Sequence, residues 1–295
     1  MSAPADNSPS PVASAETATA ADLPVPSPDA ENSEAGFVPK KSFYLRNRTL
    51  VWTVFALVAA ANVVMVCLFP IPGNDMASRY APMTEAFAAG DWRVAFHPRF
   101  GMLFSAVTGT VCRLTGLNGF RSCQAVSLVF FLLAVFPLWR IFKRIWGERV
   151  AATGCFLYLM CSFLTRYAYY GLRETWKTFG IALGVWGVMA VLHAPRRRRG
   201  YLIAAAAGAF LIAVRGDGAF YALVLLLAAA KIEMGMFRRL PVRTFLCGLL
   251  LLVLISPQLY YNYEKLGYPV PESRHAQLLK RMGMPPMKTP EAELP

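Results

Sequence analysis

Ile71–Gly101 reads IPGNDMASRYAPMTEAFAAGDWRVAFHPRFG and is a polar island in an otherwise apolar chain. It carries Asp75, Arg79 one helical turn later, a Gly90-Asp91-Trp92 break and a His97-Pro98-Arg99 corner. Before it, Thr49–Leu68 is uninterrupted apolar sequence of about the 20 residues that a bilayer-crossing helix needs. After it the apolar runs resume. A polar stretch between such runs reads as the first loop outside the membrane.

Working outward, the composition agrees. The chain is 56% hydrophobic and 16% charged, where soluble domains are charged at about a quarter of positions. Long Leu, Ala and Val runs are not the short alternating segments of a β-barrel. The expected fold is therefore all-α, a multi-pass transmembrane helical bundle with a helical first outer loop over 71–121. The net charge of +13 falls in short tracts between apolar runs, which is topology information. No zinc finger, helix-turn-helix or aromatic RNA-binding motif accompanies it, so nucleic acid is not expected as a partner. The six cysteines form no CxxC pair. Most lie in apolar runs as small buried hydrophobes, and Cys112 and Cys123, which flank one loop, are the pair a disulfide would use in an exported loop.

Residues 1–39 are rich in Ala, Pro, Ser and acids and hold no Lys or Arg before Lys40. This reads as a disordered cytoplasmic tail, followed by an uncleaved signal-anchor helix. Further apolar segments cover Ser122–Phe142, Val150–Thr165, Trp176–Leu192, Tyr201–Val214, Ala219–Ala230 and Phe245–Tyr260. Met102–Leu117 is short and interrupted by Gly109 and Arg113. Read as interfacial rather than crossing, it places the basic clusters at Lys40–Arg48, Arg140–Arg149, Arg196–Arg199 and Lys231–Arg243 on one side. That gives about seven crossings with the N-terminus cytoplasmic. Segments 201–214 and 219–230 are then short, at about 21 and 18 Å, so the Arg215-Gly216-Asp217-Gly218 tip is expected to end inside a cavity open to the outside. Residues 261–295 are polar and Pro-containing and read as loop-like; the transmembrane domain is bounded at 40–272, with 273–295 as a polar C-terminal tail.

The outward face then carries Asp75, Arg79, Asp91, His97, Arg99, Arg173, Glu174, Lys177, Arg215 and Asp217, among others. Carboxylates beside arginines suit a phosphorylated, lipid-linked substrate: the guanidinium forks onto phosphate, and a carboxylate serves as base for a hydroxyl. Each residue also has a plainer reading. Asp75 can cap the helix after Gly73-Asn74, or pair with Arg79. Glu174 can sit at a helix start for the dipole. Arg215 can snorkel, His97 can bond within its loop, and Tyr167–Tyr170 can form an interfacial aromatic belt. No GxxxxGK[ST], HExxH or GxSxG is present, and the three histidines are dispersed. No metal site is expected and no cofactor required, although Asp75, Asp91 and His97 are the set a divalent cation would use.

The order of these motifs resembles the polytopic glycosyltransferases of the GT-C fold, specifically the family 39 type. That type includes protein O-mannosyltransferases, the lipid A aminoarabinose transferase and rhizobial lipopolysaccharide sugar transferases. GNDMASRY, AAGDWRVAF and HPRFG occur in the family's order, then RLTGLNGFR, FKRIWGERVAA, GLRETWKTF, AVRGDGAFY and NYEKLGYPVP, over roughly 50–272. The corner here reads HPR where the family tends to have HPP.

The resemblance implies inverting transfer of a sugar from a polyprenyl-phosphate donor to a glycan, lipid or protein acceptor on the outer face. Asp75 would be the catalytic base. Arg79, Tyr80, His97, Arg173 and Asp217 would line the substrate site, Glu174 would assist acceptor or donor, and Arg215 and Arg99 would bind donor phosphate. Many members add further helices and a soluble domain beyond this length, so a short or inactive member is a second expectation. It would be a non-catalytic subunit of a larger transferase, or a lipid or solute transporter built on the same bundle. No internal repeat of the transporter kind is found.

Overall fold

A computed structural model describes residues 43–68, 72–237 and 241–287. The 1–39 tail, Lys40, Lys41, Arg238 and Arg239 lie outside the described residues. The described residues form helices and no strand, so the architecture is an all-α membrane bundle.

Helix α1 (Phe43–Leu68) is the first apolar crossing. The polar island after it folds as a π-helical turn (Met76–Tyr80), α2 (Ala81–Ala89) and the short α3 (Trp92–Ala95). Gly90 ends α2 with φ 85°, a conformation that a Cβ disfavours. Asp91 then caps α3, its Oδ1 accepting from Arg93 N at 3.1 Å and Val94 N at 3.3 Å. Helix α4 (Met102–Thr115) is 14 residues long, about 21 Å, which is short of a ~30 Å hydrocarbon core. It packs Phe104, Thr108 and Cys112 inward against α2 and α5.

Helices α5 (Gly119–Leu133) and α6 (Val135–Trp146) run on as one 28-residue apolar crossing. Helices α7 (Glu148–Met160) and α8 (Ser162–Tyr169) form a pair bent by 51°. The bundle is completed by α9 (Glu174–His193), α10 (Arg198–Val214), α11 (Gly218–Phe237) and α12 (Val242–Leu266), followed by the short α13 (Ser273–Arg281). Helices α9 and α10 meet through small residues. A Cβ on Gly187 would stand 2.7 Å from Ala204 N, and one on Gly200 2.7 Å from Val191 N. In lipid, such backbone approach substitutes dispersion contact for a hydrophobic drive between helices.

Among the described residues, five helices are long and apolar enough to cross a membrane, or six when the bent pair is one span. The expected count of about seven is therefore reduced. The seventh segment is the 17-residue α10, which opens on Arg198 and Arg199. It packs along α9, α11 and α12, while Arg198 and Arg199 at its start are exposed.

The second arm of the expected short hairpin is corrected too. Helix α11 has 20 residues and runs past Ala230 through Lys231 and Glu233. Glu233 is not a boundary charge: it is buried, accepting from Arg243 N, Thr244 N and Thr244 Oγ1 at the start of α12. The stretch read as loop-like beyond residue 260 is helical through Leu266 and again in α13. Cys112 and Cys123 are both free. The Cys112 thiol bonds Leu117 O, and Cys123 meets Thr84 Oγ1 at 3.2 Å.

The helices alternate in direction. One end of the bundle gathers the 72–101 segment, the α8–α9 turn, the α10–α11 tip and the chain after α12. The α6–α7 and α9–α10 connections, with their arginines and lysines, occupy the opposite end, where Arg243 at the start of α12 reaches Pro195 O.

Candidate active site

Four separated pieces of chain converge at the first of these ends on a cavity of about 110 Å³. Its wall is made by Asp75, Arg79, Tyr80, Arg99, Phe100, Arg173, Glu174, Arg215, Glu272 and Arg274. Seven of the nine residues expected from the sequence line it. His97 and Asp217 do not line it.

The π-helical turn after α1 supplies Asp75, Arg79 and Tyr80. Asp75 has helical backbone angles and makes no side-chain cap. Of its two plainer readings, the pair is the one present: Arg79 Nη1 donates to Asp75 Oδ1 at 2.9 Å. With the Asp75 carboxylate 65% exposed, such a pair contributes at most about 1 kcal/mol to stability. Tyr80 is buried, with its ring edge-on to Phe100 and Phe104 at 5.5 and 5.2 Å. Burial pushes the Tyr80 phenol above its ordinary range. Arg173 opposes that rise, and Glu174 and Asp75 add to it.

The corner at 97–101 is fixed from both sides. His97 Nδ1 accepts from Arg99 N at 3.1 Å, so His97 does bond within its loop and orients Arg99. Gly101 packs against the end of α10, where an added Cβ would stand 2.2 Å from Ala213 O and 2.5 Å from Val214 O. Phe96 O takes the Tyr261 hydroxyl, and Pro98 O accepts from Ser273 N at 2.9 Å.

The α8–α9 turn supplies Arg173 and Glu174. Arg173 is 7% exposed. Its guanidinium lies 5.4 Å from both the Tyr80 and Phe100 ring centres, and its Nη1 donates to Val214 O at 3.3 Å. Two aromatic faces and a carbonyl thus replace the water this cation has lost. Its Nε has no hydrogen-bond partner. Glu174 opens α9 as the dipole favours, but its side chain is aimed at the α10–α11 tip. Oε1 meets Arg215 Nη1 at 3.0 Å, while Oε2 is buried and without a hydrogen-bond partner.

At that tip, Arg215 Nε lies 3.3 Å from Asp217 Oδ1, and Asp217 Oδ2 meets Lys177 Nζ at 2.9 Å. Lys177 in turn sits over the Tyr221 ring. Arg215 is therefore held by two acids rather than snorkelling to an interface. Asp217 orients it from outside the cavity.

Phe100, Glu272 and Arg274 were missed by sequence reasoning. Glu272 is 5% exposed. Its Oε1 accepts from Gly216 N at 3.0 Å and lies 3.9 Å from Arg173 Nη1. The available signal was a Glu and an Arg flanking Ser273 directly after GYPVP, but in a polar segment charge has no contrast. Among the described residues no group of three or more His, Cys, Asp and Glu could hold a metal. Asp75, Asp91 and His97 are thus not assembled into a cation site.

A family model described as dolichyl-phosphate-mannose-protein mannosyltransferase matches residues 97–261, more than half of the chain. The chain belongs to that family. It is a membrane glycosyltransferase of the GT-C type. No curated protein and no solved structure matches it. The matched stretch runs from His97 through the α8–α9 turn and the α10–α11 tip to Tyr261. Asp75, Arg79 and Tyr80 lie before it, and Glu272 and Arg274 after it. These five reach the family's part of the cavity only through the fold.

Proposed function

We propose that the chain transfers a sugar from a polyprenyl-phosphate-linked donor to a hydroxyl of a glycan, lipid or protein acceptor, on the outer face of the membrane. The observation that carries this reading is the convergence of five arginines and three carboxylates on one cavity at the end opposite the basic connections. Basic connections favour the cytoplasmic side, so the cavity opens outward and the N-terminus is cytoplasmic.

In this reading Asp75 is the catalytic base. Its pairing with Arg79 uses Oδ1 and leaves Oδ2 for the acceptor. The acceptor hydroxyl gives its proton to Asp75, and its oxygen attacks the anomeric carbon. The bond from that carbon to the phosphate oxygen breaks, the electron pair leaves with the phosphate, and the configuration inverts. Glu174 Oε2, buried without a hydrogen-bond partner, takes a substrate hydroxyl. The arginines stabilise charge on the departing phosphate. The step needs no cofactor, and a divalent cation would enter only with the donor phosphate.

The test is transfer from a labelled polyprenyl-phosphate sugar by the full chain in reconstituted membranes. Transfer by the native chain supports the reading. Donor binding without transfer to any acceptor would favour a non-catalytic subunit of a larger transferase. A cysteine introduced at position 75 and labelled from the cytoplasmic side would overturn the orientation.

A further inference from the structure

Polar side chains inside apolar spans are costly and need partners. Five residues on α1, α5 and α8 satisfy one another in a closed ring. Asn62 lies in the α1 span and is 5% exposed. Its Oδ1 accepts from the Tyr169 hydroxyl of α8 at 3.2 Å. The Tyr169 carbonyl accepts from Gln124 Nε2 of α5 at 2.6 Å. Gln124 Oε1 accepts from Arg121 Nη1 at 2.8 Å, and the same nitrogen donates to Val66 O at 2.9 Å. Val66 stands one helical turn beyond Asn62 on α1, so the ring closes.

The ring takes up backbone groups that helices leave over. The last carbonyls of a helix have no partner within it. Those of Val66 in α1 and Tyr169 in α8 are the two that the ring binds. Ser127, one turn after Gln124 on α5 and fully buried, donates to Leu172 O at 3.0 Å. Gln124 and Ser127 thus grip the α8–α9 turn on both sides of Gly171, where an added Cβ would stand 2.9 Å from Gln124 N.

The two sides of this ring both lead to the cavity. Asp75 follows α1, and Arg173 and Glu174 follow Leu172 directly. The five ring residues themselves are not on the cavity wall. Their bearing on the reaction proposed above, on which this inference rests, is the placement of the base relative to Glu174. We propose that Gln124, Tyr169 and Asn62 are positioning residues for sugar transfer, holding the segment that carries Asp75 in register with the turn that carries Glu174. A misplacement of about 1 Å can cost about a hundredfold in rate. Because the groups that contact substrate are all retained, the loss is expected in kcat rather than in KM.

The experiment measures kcat and donor KM per folded molecule for the full chain in reconstituted membranes, with thermal unfolding of each variant alongside. Gln124→Met keeps the length of the side chain and removes both amide groups. It should lower kcat about tenfold to a hundredfold and change KM about twofold or less. Tyr169→Phe and Asn62→Leu break the same link, so each should lower kcat about three- to tenfold and the double variant little further. Tyr158→Phe is the control. Its hydroxyl donates to Phe131 O at 3.1 Å between α7 and α5, a buried bond of the same kind outside the ring. It should lower the unfolding temperature comparably to Tyr169→Phe and leave kcat native. If Gln124→Met does not fold, Tyr169→Phe carries the test. Native kcat in the ring variants, or an equal loss of kcat in Tyr158→Phe and Tyr169→Phe, would overturn the positioning role while leaving the proposed function standing, since the native chain still transfers sugar. A raised KM at native kcat would assign the ring to substrate binding and overturn it as well. A native chain that transfers no sugar overturns the proposed reaction and this inference with it.

Discussion

Glu174 Oε1 and Arg215 Nη1 lie 3.0 Å apart across 41 residues of sequence. This pair joins the start of α9 to the tip between α10 and α11, and the second oxygen of Glu174 has no hydrogen-bond partner. About a third of each side chain is exposed, so the pair contributes at most about 1 kcal/mol to folding. Its consequence is positional. Glu174→Gln and Arg215→Gln are each expected to lower sugar transfer about tenfold or more, and the double variant to fall little further, because each residue acts through the other. A double-variant cycle on transfer rates checks this, and strictly additive losses would show that the two act separately.

Asp75→Asn keeps the size of the side chain and its contact to Arg79 through an amide oxygen, but removes the base. Transfer is expected to fall by about 10²–10⁴, the usual range for loss of general-base help. Donor binding should change little. If the Asn variant transfers sugar at the native rate with normal expression, the acceptor proton goes elsewhere.

Gly101→Ala tests how the corner is held. The added methyl would meet Ala213 O and Val214 O at 2.2 and 2.5 Å, and neither backbone carbonyl can turn away as a side chain could. A loss of about 1–3 kcal/mol is expected for such overpacking, read as a lower unfolding temperature. Arg99 moves with the corner, so transfer should fall too. Unchanged stability would mean that the corner can shift away from α10 at no cost.

These contacts also show what the chain discloses. Asp75, Glu174 and Arg215 stand out because charge is costly in apolar surroundings, so a charged residue between greasy runs already calls for a partner. Glu272 and Arg274 lie in sequence that is polar throughout, where the same residues are unremarkable. Their role depends on Ser273 meeting Pro98, a contact between segments far apart in sequence that no local pattern encodes. The end of α11 is hidden for the opposite reason. Lys231 makes Ala230 read as the end of a segment, yet the helix continues through Glu233, a buried carboxylate that is tolerated because it accepts three hydrogen bonds. The order of motifs disclosed the family, and the depth of α11 and the closure by α13 required tertiary structure.

Tyr80 provides a pH prediction. Burial raises its phenol in the folded state, so the folded chain holds that proton more tightly than the unfolded one. The associated stability is complete below the unfolded value of about 10 and is lost as pH rises above it, because the unfolded state then releases the proton first. The native chain should therefore lose more stability between pH 9 and 11 than Tyr80→Phe, as read from unfolding temperatures. Identical alkaline slopes would mean that Tyr80 ionises alike in both states.

Glu272 separates charge from hydrogen bonding within one side chain. Its Oε1 accepts from Gly216 N at 3.0 Å and faces Arg173 Nη1 at 3.9 Å. Glu272→Gln keeps an acceptor for Gly216 N, whereas Glu272→Ala removes it and leaves a buried N–H unpaired, a loss of about 1–3 kcal/mol. The two should therefore differ in stability, with Ala well below Gln. Both remove the negative charge beside Arg173, which already lacks a partner at Nε. An uncompensated buried cation lowers stability further and pulls harder on any anion in the cavity. Both variants are thus expected to bind the released lipid phosphate more tightly than the native chain and to turn over more slowly where product release limits the rate. Binding of decaprenyl phosphate and steady-state transfer by the same two variants check this. Weaker phosphate binding in Glu272→Gln, with its unfolding temperature near the native value, would show that Glu272 serves to hold the arginines in place rather than to balance their charge.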